Sequence, residues 1–263
     1  MTLPYILVAP NGARRTKADH PNLPMTVDEI VATAKACFEA GANGIHAHVR
    51  DAEGRHVLDG GQYRELLREL AIIVPEMDVQ ITTEAVGRYS PAEQMAVVRQ
   101  VQPKAVSIAL GELSEHDDQA ELGRFYAETL EAGTEVQHIL YDPSEIRKLQ
   151  LYIELGVIPA ESTSLLFVLG RYTDGQVSAP EQFDAFQRSL QSSPLKERAK
   201  YMTCAFGLME KLCLLHAASK GSDCRIGFEN NILCSEGALA ESNESQVAEL
   251  VSALNLLHQN DGK

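Results

Sequence analysis

Eight short runs of β-branched and other apolar residues alternate with longer stretches of helical periodicity from one end of this chain to the other. That alternation leaves few folds open. The runs, each read as a strand, are Tyr5–Ala9, Gly44–Val49, Val79–Thr83, Ala105–Ala109, Glu135–Tyr141, Leu165–Leu169, Tyr201–Ala205 and Cys224–Phe228. Eight helices are expected between and after them. Three of these open on capping-box spacing at Thr26–Glu29, Ser90–Glu93 and Asp142–Glu145, where a side-chain oxygen meets a free N–H and the glutamate reaches back. Helices close on Gly41, Gly133, Gly156 and Gly221, each soon followed by a strand. Strand–helix units repeated this often without a linker or a composition break predict an α/β fold, a closed parallel TIM (β/α)8 barrel, as a single domain over residues 1–263. A doubly wound open sheet is the alternative. It usually carries GxGxxG after the first strand, and that turn here reads APNGARR.

A barrel places chemistry at the C-terminal ends of its strands. His46 and His48 lie near such an end, two residues apart, so both project to one face while Ile45, Ala47 and Val49 face the helices. They are either interior histidines satisfied by hydrogen bonds or two ligands of one metal ion. A catalytic zinc commonly takes three protein ligands, His₂Glu among the recurrent sets. Glu229, at the end of the eighth strand, is the best third ligand, because strands eight, one and two are neighbours in a closed barrel; otherwise it is a solvated loop glutamate. Arg225 shares that strand face with Gly227 and Glu229. A buried guanidinium there is half of a structural ion pair or an anchor for an anionic substrate group.

Polar residues continue around the interior: Gln80, Thr82 and Glu84 on the third strand, Ser107 on the fourth, and Gln137 and Tyr141 on the fifth. The first loop, residues 11–24, is long for its type and carries Asn11, Arg14, Arg15 and Lys17. With a net charge of −14 overall, cations gathered at the rim suit a carboxylate or phosphate ligand. Residues 170–175, which include Arg171, form a second such segment. The same net charge argues against nucleic acid as a partner, since phosphates need a basic surface. No apolar run reaches the length of a membrane span, and the N-terminus lacks a basic signal-peptide region, so no membrane association is expected. The five cysteines show no CxxC spacing and sit in apolar segments, which suggests reduced thiols and a cytoplasmic location.

The stretches PNGARRTKADHPNLP, EAGANGIHAHVRDAEGRHVLD, FVLG and RIGFENN resemble the β-keto acid cleavage enzymes, a family with members in lysine fermentation. The resemblance covers nearly the whole chain. It implies a zinc-binding TIM barrel that condenses a β-keto acid with its co-substrate acetyl-CoA, giving acetoacetate and a new acyl-CoA, and it implies a homo-oligomer. By that resemblance His46, His48 and Glu229 hold zinc, Arg225 is the active-site arginine, and Thr82 and Ser107 are pocket hydroxyls. Asn11 and Arg14 are placed with Thr82 and Ser107 as substrate-binding residues. Two positions depart from the lysine-fermentation pattern: Asn230 replaces an aspartate after the zinc glutamate, and Arg14 replaces a first-loop glutamate. An amide cannot take up a proton as a carboxylate does, so Glu84 is expected to replace the lost acid, with Arg225 and Asn230 completing the catalytic set. The competing functions are a metal-dependent aldolase or hydrolase that acts on a keto acid without CoA, and a catalytically inactive keto-acid-binding homologue.

Overall fold

A computed structural model describes residues 3–260; the ends of the expected 1–263 domain lie outside them. In chain order the elements are β1 (Ile6–Val8), α1 (Val27–Glu39), β2 (Gly44–Ala47), β3 (Val49–Arg50), β4 (His56–Val57), α2 (Gly60–Ile73), β5 (Asp78–Thr82), α3 (Pro91–Val101) and β6 (Ala105–Ala109). They continue with α4 (Leu110–Leu113), α5 (Gln119–Glu131), β7 (Glu135–Leu140), α6 (Glu145–Glu154), β8 (Ser164–Leu169), α7 (Pro180–Gln191), β9 (Lys200–Ala205), α8 (Glu210–Ala218), β10 (Asp223–Ile226) and α9 (Asn243–Asn260). Eight of the strands, all but β3 and β4, close into a barrel in chain order, β10 returning to β1, and every pair is parallel. This is the TIM-barrel architecture.

Alternation along each strand divides the apolar residues into two populations. Ile6, Val8, Ile45, Ile81, Val106, Leu165 and Phe167 pack outward against the helices as the main core. Leu7, Ala109, Ile139, Leu166, Val168, Met202, Cys204 and Phe206 form a smaller cluster inside the barrel. The rest of the interior is polar, with His46, Gln80, Thr82, Ser107, Gln137 and Arg225 all buried. A barrel that surrenders part of its interior to buried polar groups loses hydrophobic stabilisation there, and this location marks where function resides.

The capping boxes at Thr26 and Ser90 form with both reciprocal hydrogen bonds. At Asp142 the expectation changes: α6 is capped by Ser144 without a side-chain bond, because Asp142 accepts from Ser144 N instead and Glu145 turns back to Tyr141 N and Asp142 N. Nine α-helices rather than eight occur among the described residues, the short α4 being the addition. The strand expected over Gly44–Val49 divides, since Val49 and Arg50 leave the barrel to pair antiparallel with β4. The eighth strand ends at Ile226 rather than Phe228, at a bend made by Gly227.

That bend positions the site. Gly227 has φ +136°, and a Cβ there would lie 2.6 Å from Ala9 O and 3.0 Å from Ala9 C, both fixed backbone atoms. The close approach carries the β1–β10 pairing past the bend, with Ala9 N donating to Ile226 O at 2.8 Å and Glu229 N to Ala9 O at 3.0 Å. Gly227→Ala should therefore destabilise the protein by about 1–3 kcal/mol and shift Glu229, lowering the denaturation midpoint and the metal affinity together. Unchanged values for both would show that the bend is not required.

Candidate metal centre and active site

His46 leaves the end of β2 and His48 the residue just beyond it, and their Nε2 atoms are 3.1 Å apart. Glu229, brought round by the Gly227 bend, places Oε2 3.5 Å from His46 Nε2 and 3.3 Å from His48 Nε2. A tetrahedral ion with bonds of 2.0–2.1 Å separates its ligand atoms by about 3.3 Å, so this triangle has the right edge length for one metal ion. Protonation argues the same way. His46 Nδ1 is 2.8 Å from Gln80 Oε1, and an N–H there leaves Nε2 as a bare lone pair. Burial pushes His46 down to about 4 and His48 down to about 3, so both rings are neutral and able to ligate. Burial pushes Glu229 up, but the Arg225 guanidinium together with His46 and His48 outweighs it and holds the carboxyl well below the usual range. Glu229 Oε2 is buried with no hydrogen-bond donor. With the His48 proton on Nδ1, three lone pairs converge on one point, where a shared cation relieves their repulsion, and among the described residues these three are the group able to hold one.

The surrounding residues fix each ligand. Gln80 holds His46, and its own Nε2 donates to Gln137 Oε1 at 3.3 Å. Asn11 donates to His48 O at 2.9 Å and accepts from His48 N at 3.3 Å, substituting for ladder bonds where β2 has ended. Expected at the substrate, Asn11 lines the cavity beside the triad and also clamps His48. Gly12, at φ +60°, lies so near Glu229 that a Cβ would be 2.6 Å from its Cγ. Arg50 secures that loop, Nη2 donating to Gly12 O at 2.5 Å and Arg15 O at 3.1 Å. Arg225 Nη2 reaches Glu229 Oε1 at 3.0 Å, while its buried Nε and Nη1 have no partner. Outer groups that orient a metal-binding histidine are worth about 10–100-fold in metal affinity, so Gln80→Leu should weaken metal binding by that factor in a chelator competition assay. Unchanged affinity would remove Gln80 from this task.

Beside the triad opens a cavity of about 160 Å³ lined by Asn11, Arg14, His46, Thr82, Glu84, Tyr141, Arg171, Phe206, Arg225 and Glu229, with others. Glu84 stands in its wall. One carboxylate oxygen is 3.9 Å from His48 Nδ1, and the other is 3.6 Å from Arg171 Nη2 and 4.0 Å from Arg14 Nε. Burial, then the field of Glu229, pushes its carboxyl up to about 7; a divalent ion on the triad would pull the other way. Thr82 Oγ1 accepts from Glu84 N at 3.1 Å. Ser107 pairs with Thr82 in register and is fully buried, its hydroxyl unpartnered, outside the cavity lining. Asn230 is also fully buried outside that lining, with neither end of its amide bonded.

The structure therefore brings His46, His48, Glu229, Arg225, Thr82, Glu84 and Arg14 together at one mouth, and leaves Ser107 and Asn230 behind it. Sequence reasoning gave no role to His56, whose ring centroid lies 4.9 Å from that of His48 and whose Nε2 meets Glu84 O at 3.0 Å. Arg171 was expected only within the 170–175 segment suited to an anionic ligand, and the structure places it in the cavity wall. The only signal for His56 was a histidine six residues beyond Arg50.

The chain is 25% identical over 246 residues to the 3-keto-5-aminohexanoate cleavage enzyme of Fusobacterium nucleatum subsp. nucleatum, covering 91% of this chain and 87% of the relative. It is 25% identical over 258 residues to the 3-oxoadipate:acetyl-CoA acetyltransferase of Cupriavidus necator, covering 96% and 89%. Among solved structures, the ternary complex of ObcA with a C4-CoA adduct and oxalate superposes with TM-score 0.65 at 17% identity, covering 89% of this chain and 64% of ObcA, less than two thirds of that protein. A type I 3-dehydroquinate dehydratase from Clostridium difficile gives TM-score 0.66 at 14% identity over 98% of this chain and 94% of the other; both likenesses speak to the barrel alone. The beta-keto acid cleavage enzyme family model matches residues 4–260, and the chain is an enzyme belonging to that family.

Proposed function

We propose that this protein is a zinc-dependent β-keto acid cleavage enzyme that takes a β-keto acid and acetyl-CoA to acetoacetate and a new acyl-CoA. The observation that carries the reading is the His46–His48–Glu229 triangle at a barrel mouth, in a chain of this family. In the overall exchange, the bond between C2 and C3 of the β-keto acid and the acetyl–sulfur bond of acetyl-CoA break, and C2 joins the acetyl group. The acyl remainder passes to the CoA sulfur, so atoms and charge balance without an oxidant. Bound at the triad, zinc would supply Lewis-acid polarisation of the keto oxygen.

The chain's own residues account for the remainder. Arg225 offers two buried nitrogens, Nε and Nη1, whose N–H groups lack partners, toward negative charge developing on the substrate. Thr82 lines the cavity beside it, and Arg14 stands at the rim. Glu84 takes the C2 proton and later returns a proton, a role matched to a carboxylate facing both the triad and the cavity. Asn11 keeps His48 in place, and Asn230 and Ser107 lie buried outside the cavity lining. Residues 1–263 form one barrel domain in this reading. Its five free cysteines fit a reducing cytoplasm. The exposed Ile72, Leu151, Leu155 and Leu212 favour homo-oligomers. No helix among the described residues is long and apolar enough to cross a membrane. Zinc-loaded protein given β-keto acids and acetyl-CoA should release acetoacetate in step with a new acyl-CoA; cleavage that proceeds equally without acetyl-CoA would overturn the reading in favour of a simple aldolase or hydrolase.

A further inference from the structure

Arg171 takes no part in the scheme above, yet it is a placed group. It follows β8, its guanidinium lies 4.9 Å from the centroid of the Phe206 ring, and its side chain is only 16% exposed. Among the described residues no hydrogen bond leaves this guanidinium; its one charged neighbour within ion-pair distance is Glu84, at 3.6 Å, too long for a hydrogen bond. A largely buried guanidinium with all its donors free toward a cavity is matched to an anion that arrives with the ligand. Arg14, 62% exposed at the rim, approaches the same Glu84 oxygen at 4.0 Å. Two guanidinium groups against one carboxylate leave a positive charge unmatched. Glu84 separates this cationic end from His48, and the nearby wall is Ile139, Tyr141, Val168 and Phe206, which adds no charge.

We propose that Arg171, assisted by Arg14, binds a second carboxylate of the substrate, so that the preferred substrates are short β-keto dicarboxylates. The inference rests on the proposed function for the keto-acid end of the molecule, which the triad and Arg225 would hold. The cation–π contact with Phe206 restrains the guanidinium beside the cavity, leaving its N–H groups for bidentate contact with a carboxylate. The alternative anion, the phosphate portion of CoA, is far too large for a cavity of about 160 Å³ and would remain at the outer rim.

The test compares a β-keto dicarboxylate with a β-keto monocarboxylate of the same chain length. Calorimetry with the saturated pairs glutarate and pentanoate, and adipate and hexanoate, is run in parallel on the zinc-loaded protein. The dicarboxylates should lead by about 10- to 100-fold in kcat/KM, and one of the two should lead its partner in affinity. Arg171→Met, which keeps contact with Phe206, should erase both advantages while leaving the monocarboxylate within about threefold, and Arg171→Lys should restore part of them. Equal handling of mono- and dicarboxylates by the native protein would overturn the proposal. So would an equal loss on both in Arg171→Met, or a rise confined to the KM for acetyl-CoA, which would assign the guanidinium to CoA. Tighter dicarboxylate binding with no β-keto acid consumed would uphold this subsite and refute the proposed reaction; conversion without dicarboxylate preference would do the reverse.

Discussion

Glu229→Gln should release the metal and lower turnover by about a thousandfold or more, because the amide is a poor substitute for the one anionic ligand of the triad. The same change should also destabilise the protein stripped of metal. Arg225 is 3% exposed and its ion pair with Glu229 spans 3.0 Å. Removing the charge from one member leaves the other buried and poorly compensated, at about 2–4 kcal/mol, less than full truncation because the amide oxygen still accepts one hydrogen bond. Comparison of the metal-free forms by denaturant unfolding separates this loss from the stabilisation that zinc adds by binding the folded state. Retention of a full equivalent of zinc by Glu229→Gln, with ordinary turnover, would exclude this carboxylate as a ligand.

Glu84→Gln should behave in the opposite manner: zinc stays, and kcat falls by about 10²–10⁴-fold. Glu84 is outside the ligand triangle, 3.9 Å from the far nitrogen of His48, so losing its charge removes a proton carrier without removing a ligand. The change also takes away the carboxylate that faces Arg171 and Arg14. KM for an anionic substrate should therefore hold or fall while kcat collapses, a split that general unfolding would not produce. Turnover within a few-fold of the native enzyme would remove Glu84 from the proton path and return the question to the groups around Arg225.

The sequence disclosed those parts of the site that follow from strand geometry. Two histidines at i and i+2 share a strand face, and closure of the barrel places the eighth strand beside the first two, so the triad was legible before any coordinates. Arg225 and Glu229 do meet, but across the bend at Gly227 rather than along an extended strand. What stayed hidden depends on loop paths. Nothing local marks Asn11 as a clamp on His48, since that contact forms only because β2 stops at Ala47. Arg171 and Phe206 are distant in sequence and meet because β8 and β9 are neighbours in the barrel. Ser107 was legible as a polar interior position of the fourth strand and Asn230 came from the resemblance; both are fully buried outside the cavity lining.

The proposed function places a single divalent ion between two imidazoles and a carboxylate at the mouth of the barrel. X-ray absorption spectroscopy on zinc-loaded protein, with metal content measured on the same sample, tests it directly. One zinc per chain is predicted, with two imidazole nitrogens and a carboxylate oxygen at about 2.0–2.2 Å and loss of the ion in His46→Ala and His48→Ala. A protein that takes up no stoichiometric zinc, or keeps it at full occupancy after both histidines are replaced, would contradict the account.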